Sequence, residues 1–120
     1  MKEDFIMKKL FVGLLTLLSL NNAYAAYYTG NELYEKLKSY KNAPGTFNAG
    51  LSMGYIAAIV DSLNEKMDPK NGWRFCVPPS ATLGQVNDVV YAYLDQNPQV
   101  RHYGAYGLVE ASLEKAFPCR

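Results

Sequence analysis

Thr82-Leu83-Gly84-Gln85-Val86-Asn87-Asp88-Val89-Val90-Tyr91-Ala92-Tyr93-Leu94-Asp95-Gln96-Asn97-Pro98 is the stretch that settles the fold class. Its opening Thr-x-x-Gln is a capping box, in which the Thr82 hydroxyl accepts from the Gln85 amide while the Gln85 side chain reaches back to the Thr82 amide. Leu83, Val86, Val89, Val90, Tyr93 and Leu94 then recur three and four residues apart. Asn97-Pro98 ends the pattern, because proline lacks the donor that another turn would need. The stretch therefore predicts a helix with one apolar side.

Working outward, the same pattern repeats on both flanks. Toward the C-terminus a short turn at 99–104 leads into a helix with Leu108, Val109, Leu113, Ala116 and Phe117 on its apolar side, stopped by Pro118. Toward the N-terminus lies an unpatterned segment, 65–80, with Pro69, Gly72, Trp73, Arg74, Phe75, Cys76, Pro78 and Pro79, which predicts an ordered loop. Before it, residues 46–64 form the most apolar stretch, with Phe47, Leu51, Tyr55, Ile56, Ile59, Val60 and Leu63, and are expected to be the central helix. Gly50, Gly54, Ala58 and Ser62 recur every fourth residue there, a stripe without bulk that admits close packing inside the monomer or a dimer seam. A first helix opens at Thr29-Gly30-Asn31-Glu32, a second capping-box pattern, repeats Leu33, Tyr34 and Leu37, and ends before Pro44-Gly45. No strand-like alternation competes with these patterns, so the expected fold is all-α, a small bundle of about four helices.

The first 25 residues read as an export signal rather than as part of that bundle. Lys8 and Lys9 are a positive n-region, 10–20 is an apolar run, and Ala23-Tyr24-Ala25 is a small-x-small cleavage pattern, with cleavage expected after Ala25. Met7 would itself serve as a start. The run is shorter than the roughly 20 residues that cross a bilayer, and no later segment is longer, so no membrane anchor is expected. The expected division is a signal peptide at 1–25 and one helical domain at 26–120, located in the periplasm. Taking away Lys2, Lys8, Lys9, Glu3 and Asp4 leaves nine basic and nine acidic side chains. A neutral domain has no electrostatic footprint for nucleic acid or an anionic membrane.

Cys76 and Cys119 are the two cysteines of the chain. An exported protein with an even cysteine number pairs them, and a bridge here would tie the start of the third helix to the end of the fourth, as suits an antiparallel pair. No Cys-x-x-Cys is present for redox or haem chemistry, and two cysteines with one distant histidine fall short of a metal site. No cofactor is expected.

Catalysis finds little material. His102 is the only imidazole, no carboxylate lies beside it in sequence, and a dyad with Ser52, Ser62 or Ser112 would have to be assembled in space. Glu32 with Glu35, and Glu110 with Glu114, stand one turn apart, but interleaved with Lys36, Lys38 and Lys115 they read as solvated helix faces. Binding is the better expectation. Tyrosine is abundant, with Tyr27, Tyr28, Tyr103 and Tyr106 near ends or turns, and Tyr, Trp and Arg are the types enriched at interface hot spots. Trp73 and Arg74 in the long loop, with Arg101, His102 and Tyr103 in the short turn, are the candidate partner-binding residues. For Trp73 a lid over the core beside the disulfide is the competing role.

Gly54-Tyr55-Ile56-Ala57, Val60-Asp61-Ser62-Leu63 and Phe75-Cys76-Val77-Pro78 followed by Thr82-Leu83-Gly84-Gln85-Val86 resemble the Rap/Tai family of type VI secretion immunity proteins. Tyr93-Leu94, Asn97-Pro98, Arg101-His102 and the terminal Ala116-Phe117-Pro118-Cys119 continue the resemblance in order, so that it covers about Gly50 to Cys119. Tyr103-Gly104-Ala105-Tyr106-Gly107 departs from it, standing where a more aliphatic run is expected. The resemblance implies a periplasmic, helical, often dimeric protein that binds a peptidoglycan amidase effector, a cysteine peptidase, and blocks its cleft. A small periplasmic acid-stress chaperone of the HdeA type is the alternative, being exported, helical and stapled by one disulfide. An acid-triggered chaperone, however, should depend on titrating carboxylates, and the balanced charge does not favour it.

Overall fold

A computed structural model of the chain describes residues 7–9 and 26–120. The expected export signal, with its apolar run and cleavage site, lies outside the described residues apart from 7–9. From residue 26 onward the chain forms four α-helices, α1 (Gly30–Asn42), α2 (Phe47–Leu63), α3 (Leu83–Gln96) and α4 (Ala105–Ala116), with a short 3-10 turn at Pro98–Val100. The fold is thus the expected all-α bundle. No helix among the described residues is long and apolar enough to cross a membrane.

Side-chain caps start three of the helices. The Thr29 hydroxyl accepts from the Glu32 amide at 3.2 Å, that of Thr46 from Ala49 at 3.3 Å and that of Thr82 from Gln85 at 3.2 Å, each satisfying one orphan donor of a first turn. At α3 the box closes, because the Thr82 amide donates to Gln85 Oε1 at 2.8 Å. At α1 only half of it forms: the next amides turn to the 101–103 turn instead, with Gly30 N donating to Tyr103 O and Asn31 N to Arg101 O, both at 2.8 Å. A methyl group on Gly30 would stand 2.8 Å from the Arg101 carbonyl oxygen and against the Leu108 side chain, so glycine is what lets this approach happen.

The core is built from Leu33, Tyr34, Leu37, Ile56, Phe75, Val86, Val90, Leu94, Val109 and Leu113 among others. The central helix is α1 and not α2, a correction to the expectation from composition. Both helices touch all three others, but α1 spreads its packing more widely over α3 and α4, whereas α2 lies mainly against α1, burying Ala49, Ser52, Ile56 and Ile59. An all-round apolar sequence gives no periodic signal for orientation, and here one side of α2 faces solvent. Gly50, Gly54, Ala58 and Ser62 all lie on that side. A Cβ built on Gly50 or Gly54 meets nothing within 4 Å, so the stripe is not a close-packing seam within the monomer.

Cys76 and Cys119 form the disulfide, with Cα atoms 5.0 Å apart. It joins the end of the long loop to the tail after α4, and main-chain pairing accompanies it: Phe75 bridges Pro118, and Cys76 N donates to Phe117 O at 2.8 Å. The loop is ordered by its own bonds. Glu65 N donates to Phe75 O and Asp68 N to Trp73 O, both at 2.9 Å, and Gly72, at φ +72°, makes the reversal between them. Asn64 closes the base, accepting from Val77 N at 2.8 Å and donating to Val77 O at 3.2 Å.

Candidate functional site

Three irregular segments meet on one face of the bundle. The 26–29 segment lies beside the 101–104 turn, with Thr29 bridged to Gly104 and Ala105 N donating to Tyr28 O at 2.9 Å. The tip of the long loop, 70–73, approaches the same face from the other side. Between them, with residues of α2, α3 and α4, runs a groove of about 910 Å³ lined by Tyr27, Tyr55, Trp73, Tyr93, Tyr103 and Tyr106, with Thr29, His102, Lys70 and Asn71 among its polar members. No carboxylate lines it. Concave, largely aromatic surface with a few polar groups is what a recognition site needs, since rigid rings bury much area at little entropic cost.

Of the five expected partner-binding residues, Trp73, His102 and Tyr103 come together at this groove. Trp73 is 38% exposed and Tyr103 58%, and the His102 ring packs on that of Tyr103 with centroids 4.1 Å apart. Trp73 thus lines the groove wall. The two arginines do not join them. Arg101 turns back on the bundle, its Nε donating to Leu94 O at 2.6 Å and its Nη2 to Asp95 O at 3.2 Å, with the guanidinium 4.0 Å above the Tyr34 ring. It is a cation on the open carbonyls of the last turn of α3, where the helix dipole favours one. Arg74 Nε donates to Glu65 O at 3.2 Å, and its amide to Glu114 Oε2 at 3.0 Å.

Tyr55, Tyr106 and Asn71 belong to the site although sequence reasoning did not place them there. Tyr55 reads as core, because α2 is apolar on every side. Tyr106 carries a usable signal, standing one turn from Tyr103 across Gly104. Ser52, Ser62 and Ser112 each donate to a carbonyl of their own helix, Ala49, Ala58 and Val109 at 2.7–2.8 Å, which occupies the hydroxyl proton of each within its helix.

Behind the loop wall lies a pair of carboxyl groups. Glu110 on α4, expected on a solvated face, is fully buried, because the long loop folds over it. Asp68 in the loop is 4% exposed. Asn71 Nδ2 donates to Asp68 Oδ2 at 3.2 Å and to Glu110 Oε1 at 3.3 Å. The Lys70 amide donates to Asp68 Oδ1 at 2.9 Å, and the Tyr106 hydroxyl to Asp68 Oδ2 at 3.2 Å. Burial first, and then the hydrogen bond with Asp68, push the Glu110 carboxyl up to about 7. The Lys70 amide leads the interactions that hold Asp68 below the usual aspartate value. Burial, helped by the two neighbouring charges, raises the Tyr106 phenol to about 12 and keeps it a donor.

This pair gives the folded state a pH dependence of definite sign. Below the ordinary value of 4.5 Glu110 is protonated whether the chain is folded or not, and between 4.5 and about 7 only the unfolded chain ionises it. Stability should therefore fall with rising pH across that window and level off above it. Asp68 acts in the opposite sense and lower down, its contribution being lost only as pH drops below the ordinary 3.8. Solvent screening in so small a domain brings the Glu110 effect to roughly 1–2 kcal/mol. Urea unfolding at pH 5 and pH 8 should show that loss in the wild type and little in Glu110→Gln, and equal slopes in the two proteins would refute it.

Over residues 29–119 the chain matches the family described as Rap1a immunity proteins. The match runs from the cap of α1 to the second cysteine and so takes in every helix named above. No curated protein matches the chain.

Proposed function

Because the chain belongs to the Rap1a immunity protein family, we propose that it is an exported inhibitor that seats a peptidoglycan amidase effector of type VI secretion on its aromatic groove and keeps the effector's catalytic cleft closed. The family match, spanning nearly the whole helical domain, carries this reading. The groove supplies the surface: Trp73 from the long loop and Tyr103 from the 101–104 turn both line it, each exposed enough to anchor a partner and each held by an ordered segment. Inhibition by occlusion calls for no catalytic group and no cofactor in this chain, only a rigid complementary face.

The proposed location is the periplasm, after cleavage behind Ala25, with residues 26–120 as the working protein and no membrane anchor. The described residues that line the groove run from Ala26 onward, past that cut, so removal of the signal would leave them in place. A homodimer is part of the proposal. Phe47 is 80% exposed, and the small residues of α2 open onto solvent beside it, which leaves an apolar face that a second copy would cover.

The test is binding of protein purified from the periplasm to the amidase encoded beside it, followed by peptidoglycan cleavage by the mixture. Nanomolar affinity with loss of cleavage supports the proposal. Absence of binding to that amidase and to a panel of others would overturn it, and general suppression of client aggregation at low pH would then favour the chaperone reading.

A further inference from the structure

The loop that forms one wall of the groove is fastened to α4 through Asp68 and Glu110, and the manner of fastening makes the wall conditional on a proton. Asp68 receives donors from the Lys70 amide, the Tyr106 hydroxyl and the Asn71 side chain. Glu110 receives only Asn71, on Oε1, and its buried Oε2 meets no donor among the described residues. Both carboxyls are nevertheless out of water and share one donor, the Asn71 amide, which holds them side by side. Two carboxyls held together out of water favour the state in which one of them is protonated, and the donor count, with Glu110 Oε2 left unmet, assigns the proton to Glu110.

Other charged or titratable groups surround the pair. On α4, Tyr106 is a donor already committed to Asp68, and Glu114, one turn on, accepts the Arg74 amide and adds negative charge. From the loop, Arg74 directs its guanidinium to Glu65 O, while Lys70 lines the groove. α2 contributes Tyr55 to the groove, and the 101–104 turn contributes His102 and Tyr103.

We propose that Asp68 and Glu110 are a positioning pair, in which a single shared proton latches the 65–77 loop to α4 and so sets Trp73, Asn71 and Tyr106 around the groove, and that loss of this proton loosens the loop and weakens binding there. The last clause rests on the groove being the partner surface, whereas the latch itself does not. With the proton gone, two carboxylates would face each other out of water, and a swing of the loop toward solvent is the available relief. Asn71, which donates to both carboxyls, and Trp73, whose carbonyl accepts from the Asp68 amide at 2.9 Å, would move with it.

Trp73 is the only tryptophan of the chain, so its fluorescence reports this loop without any partner. In the purified protein with its disulfide intact, Trp73 emission and its quenching by acrylamide should change between pH 5 and 9 in a one-proton step with a midpoint near 7. Glu110→Gln keeps a donor toward Asp68 and cannot ionise, so its emission should stay at the pH 5 value throughout. His102→Gln, which removes the imidazole lining the same groove, should titrate as the wild type does. A flat wild-type profile, a Glu110→Gln variant that still titrates, or loss of the step in His102→Gln would overturn the latch. Should Glu110→Gln fail to fold, Asp68→Asn decides instead: removing the neighbouring charge must move the midpoint to lower pH, and an unmoved midpoint would sink the idea. With an amidase in hand, affinity should fall about tenfold from pH 6 to pH 8.5 in the wild type and stay level in Glu110→Gln. Failure of amidase binding alone would bear on the proposed function, because the fluorescence step needs no amidase.

Discussion

Reducing the Cys76–Cys119 bridge, or replacing Cys119 by Ser, should cost the domain about 4 kcal/mol, the loop-closure entropy of a segment this long in the chain-entropy model. The two cysteines are 43 positions apart, and the loop they close holds the last few residues of the irregular segment, α3, the turn and α4. All of that is free to expand in the reduced unfolded chain. For a domain of this size a loss of that order lowers the melting temperature by roughly 15–30 °C. Partial protection comes from the native side, because Cys76 N still donates to Phe117 O and Phe75 stays buried, so the reduced protein should remain folded in the cold. Calorimetric melts with and without reductant, repeated on Cys119→Ser, measure this directly. Superimposable curves would contradict it.

Helix ends were the most legible part of the fold because their causes are local. Thr29, Thr82, Pro98 and Pro118 act within one turn of themselves, and the structure starts or stops helices beside each of them. The disulfide was legible for a different reason, cysteine parity in a chain whose first residues read as an export signal. What sequence hid was how elements face one another. α2 is apolar on every side, so its period could not say that Ile56 and Ile59 turn inward while Gly50 and Gly54 turn out.

Glu110 shows the same limit at the level of the site. Its own helix presents it beside lysine and glutamate, the pattern of a wet face, and only the return of a loop some forty residues earlier buries it. That loop has no period to read. Arg101 misleads in the reverse direction, since an arginine beside His102 and Tyr103 reads as an exposed contact until α3 is known to end where the guanidinium can reach its carbonyls. Trp73 and Tyr103 could be picked out as aromatic residues on irregular segments. Their meeting at one groove depends on a register between loop and turn that neither segment encodes alone.

The groove and the arginine therefore predict opposite responses to truncation. Trp73→Ala and Tyr103→Ala should each weaken binding of the amidase by at least about 30-fold, the scale of a hot-spot aromatic of roughly 2 kcal/mol. Their folding should change less than their binding, and least in Tyr103→Ala, because Tyr103 is 58% and Trp73 38% exposed in the free protein. Arg101→Ala should do the reverse. It removes two charge-assisted bonds to the last turn of α3 and the cation stacked on Tyr34, a loss of roughly 2 kcal/mol in stability, while the groove keeps its rings and the affinity stays within a few fold. Titration calorimetry beside thermal melts on the three variants separates the two effects. Equal losses of affinity and stability in Trp73→Ala would return that residue to the core, and a large loss of affinity in Arg101→Ala with an unchanged melt would move the binding surface off the groove and onto the outer face of the turn.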